Sequence, residues 1–388
     1  MASQLSIIFK PTSRCNLRCH YCYAARERDC FDGKMSLEEA YSAFDWVYTY
    51  CQQLNVRHMT VIWHGGEPLL MGEPFIRSTV QYYTRRMREL GIDVKNQIQT
   101  NLTLATNEFI PLFKELFDSR VGFSLDYLSP HRVFPDGTDA GKVILEQAIA
   151  LRDAGISAGA ICMMTAENAG KIRELYEWYK KLDLPFRVNR LFPTSSESTT
   201  HMAGAISAEQ YARGICELID LWLDDPHPAR AETAAGAVTT WLKDVSKLCS
   251  IAGKCSDTFL CIAPGGVLLP CGRFDSDTHS IGNWKTDSVD TVLRKKREMA
   301  HFGEERPHKH QCDTCKWASL CVAGCLHSRL MGWFEAECTT NRIIWSHLAS
   351  RLEPLGLTKG ILNHLAKHEA ATVLQKLGEK CERECERE

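Results

Sequence analysis

A chain of 388 residues, 44% hydrophobic and 24% charged, has the composition of a globular protein, and at about 150 residues per domain it holds roughly two or three. A formal net charge of -2 gives no broad attraction to nucleic acid or to an anionic membrane, and no apolar run is long enough to span a bilayer. The sequence enters a strand pattern within a few residues, without the regions of a secretory signal, so a cytoplasmic location is expected. In a reducing compartment, 18 cysteines point to metal or catalytic sites before disulfides.

In chain order, a short apolar strand and Pro11 lead into Cys15-Asn16-Leu17-Arg18-Cys19-His20-Tyr21-Cys22. Three thiols at this spacing supply one ligand fewer than a closed four-iron cluster takes, leaving one iron for a small molecule. A zinc site and three unrelated core cysteines are the competing readings. Ser36 with Glu39 makes a capping box ahead of Ala40, Phe44, Val47 and Tyr48 at helical spacing. Residues 58–63 read as a buried strand. Helices are then expected at 75–90, 107–117, 141–154 and 172–182, alternating with strands at 94–99, 121–125, 158–163 and 186–191. Six such alternations argue for a parallel sheet with right-handed crossovers.

The unusual residues recur just beyond the strands. They are the Cys15 loop, His64-Gly65-Gly66-Glu67-Pro68, Thr100-Asn101, Ser124 with Asp126, Met163-Met164 and Arg190-Leu191. That is the C-terminal face on which barrel enzymes assemble their chemistry. Gly65 and Gly66 allow a close backbone approach to a ligand; a plain strand-to-helix turn is the alternative.

Residues 193–206 read as an interdomain loop, and Ser207 with Gln210 opens a helix to about Asp224, in which Cys216 is a small buried hydrophobe. Arg294-Lys295-Lys296-Arg297 reads as a solvated helix face. Beyond Leu248 come Cys249 and Cys255, then Cys271 closing a hairpin from Leu260 to Arg273, then Cys312-x2-Cys315-x5-Cys321-x3-Cys325 and Cys338. Paired four-cysteine zinc sites compete with iron-sulfur clusters here. Cys261 fits the pattern only as a substitute for Cys255. The expected domains are 1–200, 201–245, 246–345 and 346–388, the last a helical segment with a charged tail.

The Cys15 loop, with an aromatic before its last cysteine, resembles the signature of the radical S-adenosylmethionine (SAM) enzymes, and Gly65-Gly66-Glu67 resembles their GGE motif. The resemblance implies an α/β fold, a partial (β/α)6 TIM-type barrel. Cys15, Cys19 and Cys22 would hold a cluster that, once reduced, splits SAM into methionine and a 5′-deoxyadenosyl radical. Tyr21, Gly65, Gly66, Glu67, Asn101, Ser124, Asp126 and Leu191 would surround the SAM. The later cysteines resemble a SPASM domain with two auxiliary clusters. Cys249, Cys255, Cys271 and Cys325 would hold the first, and Cys312, Cys315, Cys321 and Cys338 the second, giving three [4Fe-4S] clusters in all.

Some positions depart from the pattern. The arginine usual beyond Ser124 falls on Pro135, with Arg132 displaced, and Leu102 stands where glycine is usual. Sulfatase-maturating relatives carry an aspartate after the cysteine matching Cys271, where this chain has Gly272; glycine cannot replace a carboxylate base. The run from Pro270 to Phe274 is similar to SPASM enzymes that modify ribosomally made peptides, including those joining an aromatic ring to a β-carbon.

The expected partners are a precursor peptide, an electron donor such as flavodoxin or ferredoxin and a separate leader-binding protein, with no nucleic acid and no membrane. Asp126, Asp275 and water are the candidate proton acceptors. Thioether crosslinking and formylglycine formation are rivals within the class; an electron carrier or a structural zinc protein is the rival outside it.

Overall fold

Strand β1 (Gln4–Phe9) buries Leu5, Ile7 and Phe9 on one face, and β2 (His58–Trp63) buries Met59, Val61 and Trp63. The two pair in parallel, Gln4 opposite His58 and Phe9 opposite Trp63. Their apolar faces meet helix α1 (Leu37–Leu54), where the Phe9 ring lies 5.0 Å from Phe44 and 5.0 Å from Trp63. The capping box of Ser36 and Glu39 starts α1, and Asn55 in the left-handed region ends it. The computed structural model describes residues 4–24, 33–192, 203–245, 255–274, 279–304, 309–321 and 324–363.

Strands β3 (Asp93–Thr100), β4 (Arg120–Ser124), β5 (Ser157–Met164) and β6 (Phe186–Arg190) join in parallel and in sequence order. Helices α2 (Glu73–Glu89), α3 (Ile110–Leu116), α4 (Gly141–Asp153) and α5 (Ile172–Leu182) alternate with them. The helix expected at 107–117 is divided: a 3-10 turn covers Asn107–Phe109, and α3 restarts with Pro111 in its first turn, where a missing N–H costs nothing.

The sheet does not stop at β1. On its other side β7 (Phe259–Ile262) pairs in parallel, Ser6 opposite Phe259, and β8 (Val267–Leu269) and β9 (Gly282–Asn283) follow antiparallel. The order is β6-β5-β4-β3-β2-β1-β7-β8-β9, with β6 and β9 as the two ends, so the barrel is not closed. The hairpin expected between Leu260 and Arg273 is present as β7 and β8, and it extends the barrel sheet into the cysteine-rich half. Helices α6 (Ala208–Asp224), α7 (Glu232–Lys243) and α9 (Phe334–Leu352) cover the β6 side; the largest buried side chains include Trp222, Trp241 and Trp345. No helix among the described residues is long and apolar enough to cross a membrane.

Helix α8 (Val289–Glu304) corrects one expectation. Arg294 and Arg297 are exposed, but Lys296 is buried. Its Nζ donates to the Tyr50 hydroxyl at 3.1 Å and to the Phe259 carbonyl at 2.7 Å. The reason is helical phase: one residue of the basic run falls on the side facing α1 and β7, and its apolar stem covers core while the ammonium finds oxygen partners. Lys296→Met removes both donors, and is expected to lower unfolding stability by about 1 to 3 kcal/mol, read as a lower urea midpoint.

Candidate active site

The cysteine loop is held by backbone. At the end of β2, His64 N–H donates to the Phe9 carbonyl, Gly66 N–H to Thr12 and Glu67 N–H to Arg14, each at 2.9 Å. Gly65 has φ +113, and a Cβ there would lie 2.4 Å from the Thr12 oxygen; a Cβ on Gly66 would lie 2.1 Å from the Arg14 oxygen. The two glycines thus permit a close approach, and the approach is to the cysteine loop itself. From the other side, Arg18 N–H donates to Val133 at 2.7 Å and His20 N–H to His131 at 2.9 Å. Ser13 N–H reaches the Gly33 carbonyl at 2.9 Å.

Glu67 turns its carboxylate into the fold. Oε1 accepts from Leu69 N–H at 2.9 Å and from the Thr100 hydroxyl at 2.8 Å, and Oε2 from Asn101 N–H at 2.7 Å. Burial pushes Glu67 up to about 7 although these three hydrogen bonds oppose the shift. Asn101 in turn donates to Asn16 at 2.9 Å and faces Cys15 Sγ at 3.7 Å. Leu102 occupies the left-handed region, φ +61, which explains why glycine suits that position.

Tyr21, Asp126 and Arg132 form a buried set. Asp126 accepts from Arg132 Nε at 2.9 Å and Nη2 at 3.3 Å, from Met163 N–H at 2.7 Å, and from the Tyr21 hydroxyl. The displaced arginine is therefore the charge partner of Asp126, and the carboxylate has no lone pair left over for a substrate proton. Ser124 accepts from Gln99 at 3.2 Å, and Leu191 is buried beyond β6.

The thiols of Cys15, Cys19 and Cys22 lie close enough to feel one another's charge. Burial above all pushes Cys15 up to about 11 and raises Cys19, against which the Arg132 cation acts. Such thiols stay protonated until a metal supplies positive charge. Residues 9–179 match the model of the radical SAM superfamily.

Residues 9–179 are a radical SAM domain, and the chain as a whole has protein-modifying relatives. It is similar to the cysteine-type anaerobic sulfatase-maturating enzyme of Clostridium perfringens, 24% identical over 339 residues that cover 84% of this chain and 90% of that one. The serine-type enzyme of Klebsiella aerogenes is 24% identical over 82% of this chain and 79% of its own. Among solved structures, native anSMEcpe with bound AdoMet has a TM-score of 0.78 at 22% identity, covering 90% of this chain and 98% of that one. Streptococcus suis SuiB bound to its precursor peptide SuiA has a TM-score of 0.56 at 16% identity, covering 83% and 72%.

A radical SAM domain implies a four-iron cluster and SAM, and the donor set fits. Cys15, Cys19 and Cys22 are brought together on one loop, three thiols where a four-iron cluster with one iron open to a small molecule takes three. In the second half, burial above all raises Cys312, Cys321 and Cys338, and neighbouring thiols add to the rise. Asn341 donates to Cys321 Sγ at 3.2 Å.

Cys271 packs against the small core of Leu269, Phe274 and Leu326, directly after Cys325, whose Sγ faces Arg273 Nη1 at 3.9 Å. Cys255 opens the turn into β7. Cys261 is fully buried on β7, and Cys216 is buried in the main core. Cys249, Asp275, His308 and the tail lie outside the described residues.

Sequence reasoning passed over Lys10, and placed His64 on the strand-end face without a role. Lys10 continues the β1 face of Ser6 and Ile8 and is buried, its ammonium 5.7 Å from the Tyr23 ring. His64 accepts from Gly65 N–H through Nδ1 at 2.8 Å, which leaves the proton on Nε2; burial and the Lys10 charge hold it down to about 4. Extending the strand alternation by one residue at the C-terminal end would have found Lys10. Tyr23 packs 5.5 Å from Phe192, and Phe192 lies 5.6 Å from His327 and 4.4 Å from the Arg273 guanidinium.

Two outcomes follow from these contacts. Asp126→Asn leaves Arg132 buried without its counter-charge, at an expected cost of about 3 to 5 kcal/mol, measured by urea unfolding. Glu67, at about 7 folded against an ordinary 4.5, contributes stability that is complete below pH 4.5 and lost as pH rises through 7. Glu67→Gln, which cannot titrate, should abolish that slope of about 1.4 kcal/mol per pH unit across the window.

Proposed function

We propose that this radical SAM enzyme removes two electrons from a side chain of a ribosomally made precursor peptide, with a carbon-carbon bond between an aromatic ring and a β-carbon as the favoured product. The observation that carries the reading is the row of rings Tyr23, Phe192 and His327. It runs from the residue after Cys22 to the helix that follows Cys325, so one surface spans both cysteine-bearing regions. Peptides occupy solved relatives of this fold: anSMEcpe with AdoMet and the Cp18Cys peptide, and SuiB with SuiA.

SAM on a reduced cluster at Cys15, Cys19 and Cys22 supplies the radical that takes one hydrogen atom from the substrate carbon. Glu67, Asn101 and the backbone clamps hold the loop still for that event, and Tyr21, Gly65, Gly66, Ser124, Asp126 and Leu191 frame the SAM side. Cys249, Cys255, Cys271 and Cys325 would hold one auxiliary cluster and Cys312, Cys315, Cys321 and Cys338 the other, three clusters in all, and these would supply an acceptor for the second electron. The proton goes to Asp275 or water, because the oxygens of Asp126 are taken. A flavodoxin or ferredoxin supplies the reducing electron in the cytoplasm, and a separate protein presents the leader. Residues 1–200, 201–245, 246–345 and 346–388 are the working divisions.

Formylglycine formation is the second reading, favoured by the sulfatase-maturating relatives. Gly272 weighs against it. A Cβ there would meet the Ile8 side chain at 3.2 Å and Cε of the Lys10 stem at 4.0 Å, so the position offers no carboxylate and packs against aliphatic carbon.

Co-expression with the peptide encoded beside this gene separates the two readings. A loss of about two mass units per modification, with no hydrazide-reactive aldehyde, supports the crosslink; an aldehyde supports formylglycine. A Cys15/Cys19/Cys22→Ala variant should keep about two thirds of roughly twelve irons per chain and form no 5′-deoxyadenosine, and continued SAM cleavage would refute the role given to this loop.

A further inference from the structure

Arg190 closes β6 on the face that Phe186 and Val188 bury. Its Nε is sealed from solvent and has no hydrogen-bond partner. The guanidinium lies 5.2 Å from the ring of Trp333, whose Nε1–H is also buried and without a partner. Both side chains line one cavity of about 390 Å³, bounded by the end of β6, residues 205–207 ahead of α6, and residues 332–336 at the start of α9.

Two buried donors without acceptors beside one cavity mark a place where polar groups are under-satisfied, since each costs about 1 to 3 kcal/mol unless something accepts from it. The protein's own groups do not answer. Glu337 is already taken by Cys325 N–H at 3.0 Å and by the Ser328 hydroxyl. Ser207 spends its hydroxyl on the α6 capping box. Glu209 and Glu335 are exposed at the rim. Burial holds Arg190 below the usual arginine range, the acids around it notwithstanding.

We infer that this cavity is a carboxylate subsite, in which the Arg190 guanidinium, with the Trp333 ring against it, grips an acidic side chain or the terminal carboxylate of a peptide. A guanidinium offers two parallel donors to a carboxylate, and the indole ring fixes its plane. The volume falls at the small end of ligand sites, suited to one side chain. Leu191 lines the cavity, which sits where the sheet ends at β6, and the next residue, Phe192, belongs to the row of rings. The source of the carboxylate rests on the peptide reading above; the binding does not.

The test is calorimetric titration of the reconstituted holoenzyme with N-acetylglutamic acid α-amide, N-acetylglycine and the neutral N-acetylglutamine amide. At least one carboxylate should bind at least tenfold tighter than the neutral probe, and the tighter of the two names the source. Arg190→Gln should remove that preference, Arg190→Lys should retain part of it, and Trp333→Phe should weaken binding while keeping the ring. Equal binding of charged and neutral probes overturns the inference, as does an unchanged preference in a folded Arg190→Gln protein. Tighter binding of inorganic phosphate than of either carboxylate overturns the chemical assignment. No turnover is read, so failure here leaves peptide modification standing, and an unmodified peptide in the mass spectrum leaves this subsite standing.

Discussion

The backbone clamp between the turn after β2 and the loop after β1 is the contact on which the rest of the site depends. Gly66 and Glu67 donate their N–H groups to Thr12 and Arg14, which fixes the carbonyls just before Cys15. Any side chain on either glycine would drive a Cβ into those same oxygens. A loop of three cysteines has little core of its own, and without such bonds its backbone would sample many conformations at roughly 1 to 2 kcal/mol per residue of lost order. Glu67 then extends the clamp one strand further, because its carboxylate holds Asn101 at the end of β3. Three successive strand ends are thereby locked to the metal-binding loop.

Charge is handled inside the barrel by enclosure and pairing. Asp126 and Arg132 face each other across the cysteine loop's own partner segment, and Tyr21 and Met163 complete the carboxylate's bonds. A buried carboxylate with that many donors is an anchor for β4, β5 and the loop together. Arg132 also sits within reach of Cys19, where its positive charge favours the thiolate that a cluster needs. The displaced arginine noted in the sequence is therefore a relocated counter-ion, tied to the loop by its neighbours Val133 and His131.

The parallel sheet was legible because short apolar strands alternate six times with segments that carry a helix-capping or helical apolar signal. The positions of Cys15, Gly66 and Asn101 followed from strand ends alone. What the sequence hid was three-dimensional. The partner of Asp126 lies six residues away around a turn whose course no periodicity encodes. Lys296 looked solvated because a basic run hides which of its members a helix turns inward. The carboxylate of Glu67 pointed to a ligand by motif, yet backbone N–H groups claim it. The β7 strand reads as half of a local hairpin, and only its pairing with β1 reveals that the cysteine-rich half shares the barrel's sheet.

That shared sheet bears on the chemistry. Lys10 N–H donates to the Ile262 carbonyl at 2.8 Å, so the residue after β1 and the end of β7 are in fixed register. The β8 strand returns antiparallel and delivers Cys271 and Gly272 against Ile8 and Lys10. A rigid sheet sets this distance, where a flexible linker between two domains would let it wander. The Cys15 loop and the Cys271 turn are thereby tied to one sheet, with Tyr23, Phe192 and the buried Lys10 close to the Cys15 side. Gly272 meets Ile8 and the Lys10 stem where a side chain would point, and rings and cations such as Tyr23, Phe192 and Lys10 are groups that pack against an aromatic π face.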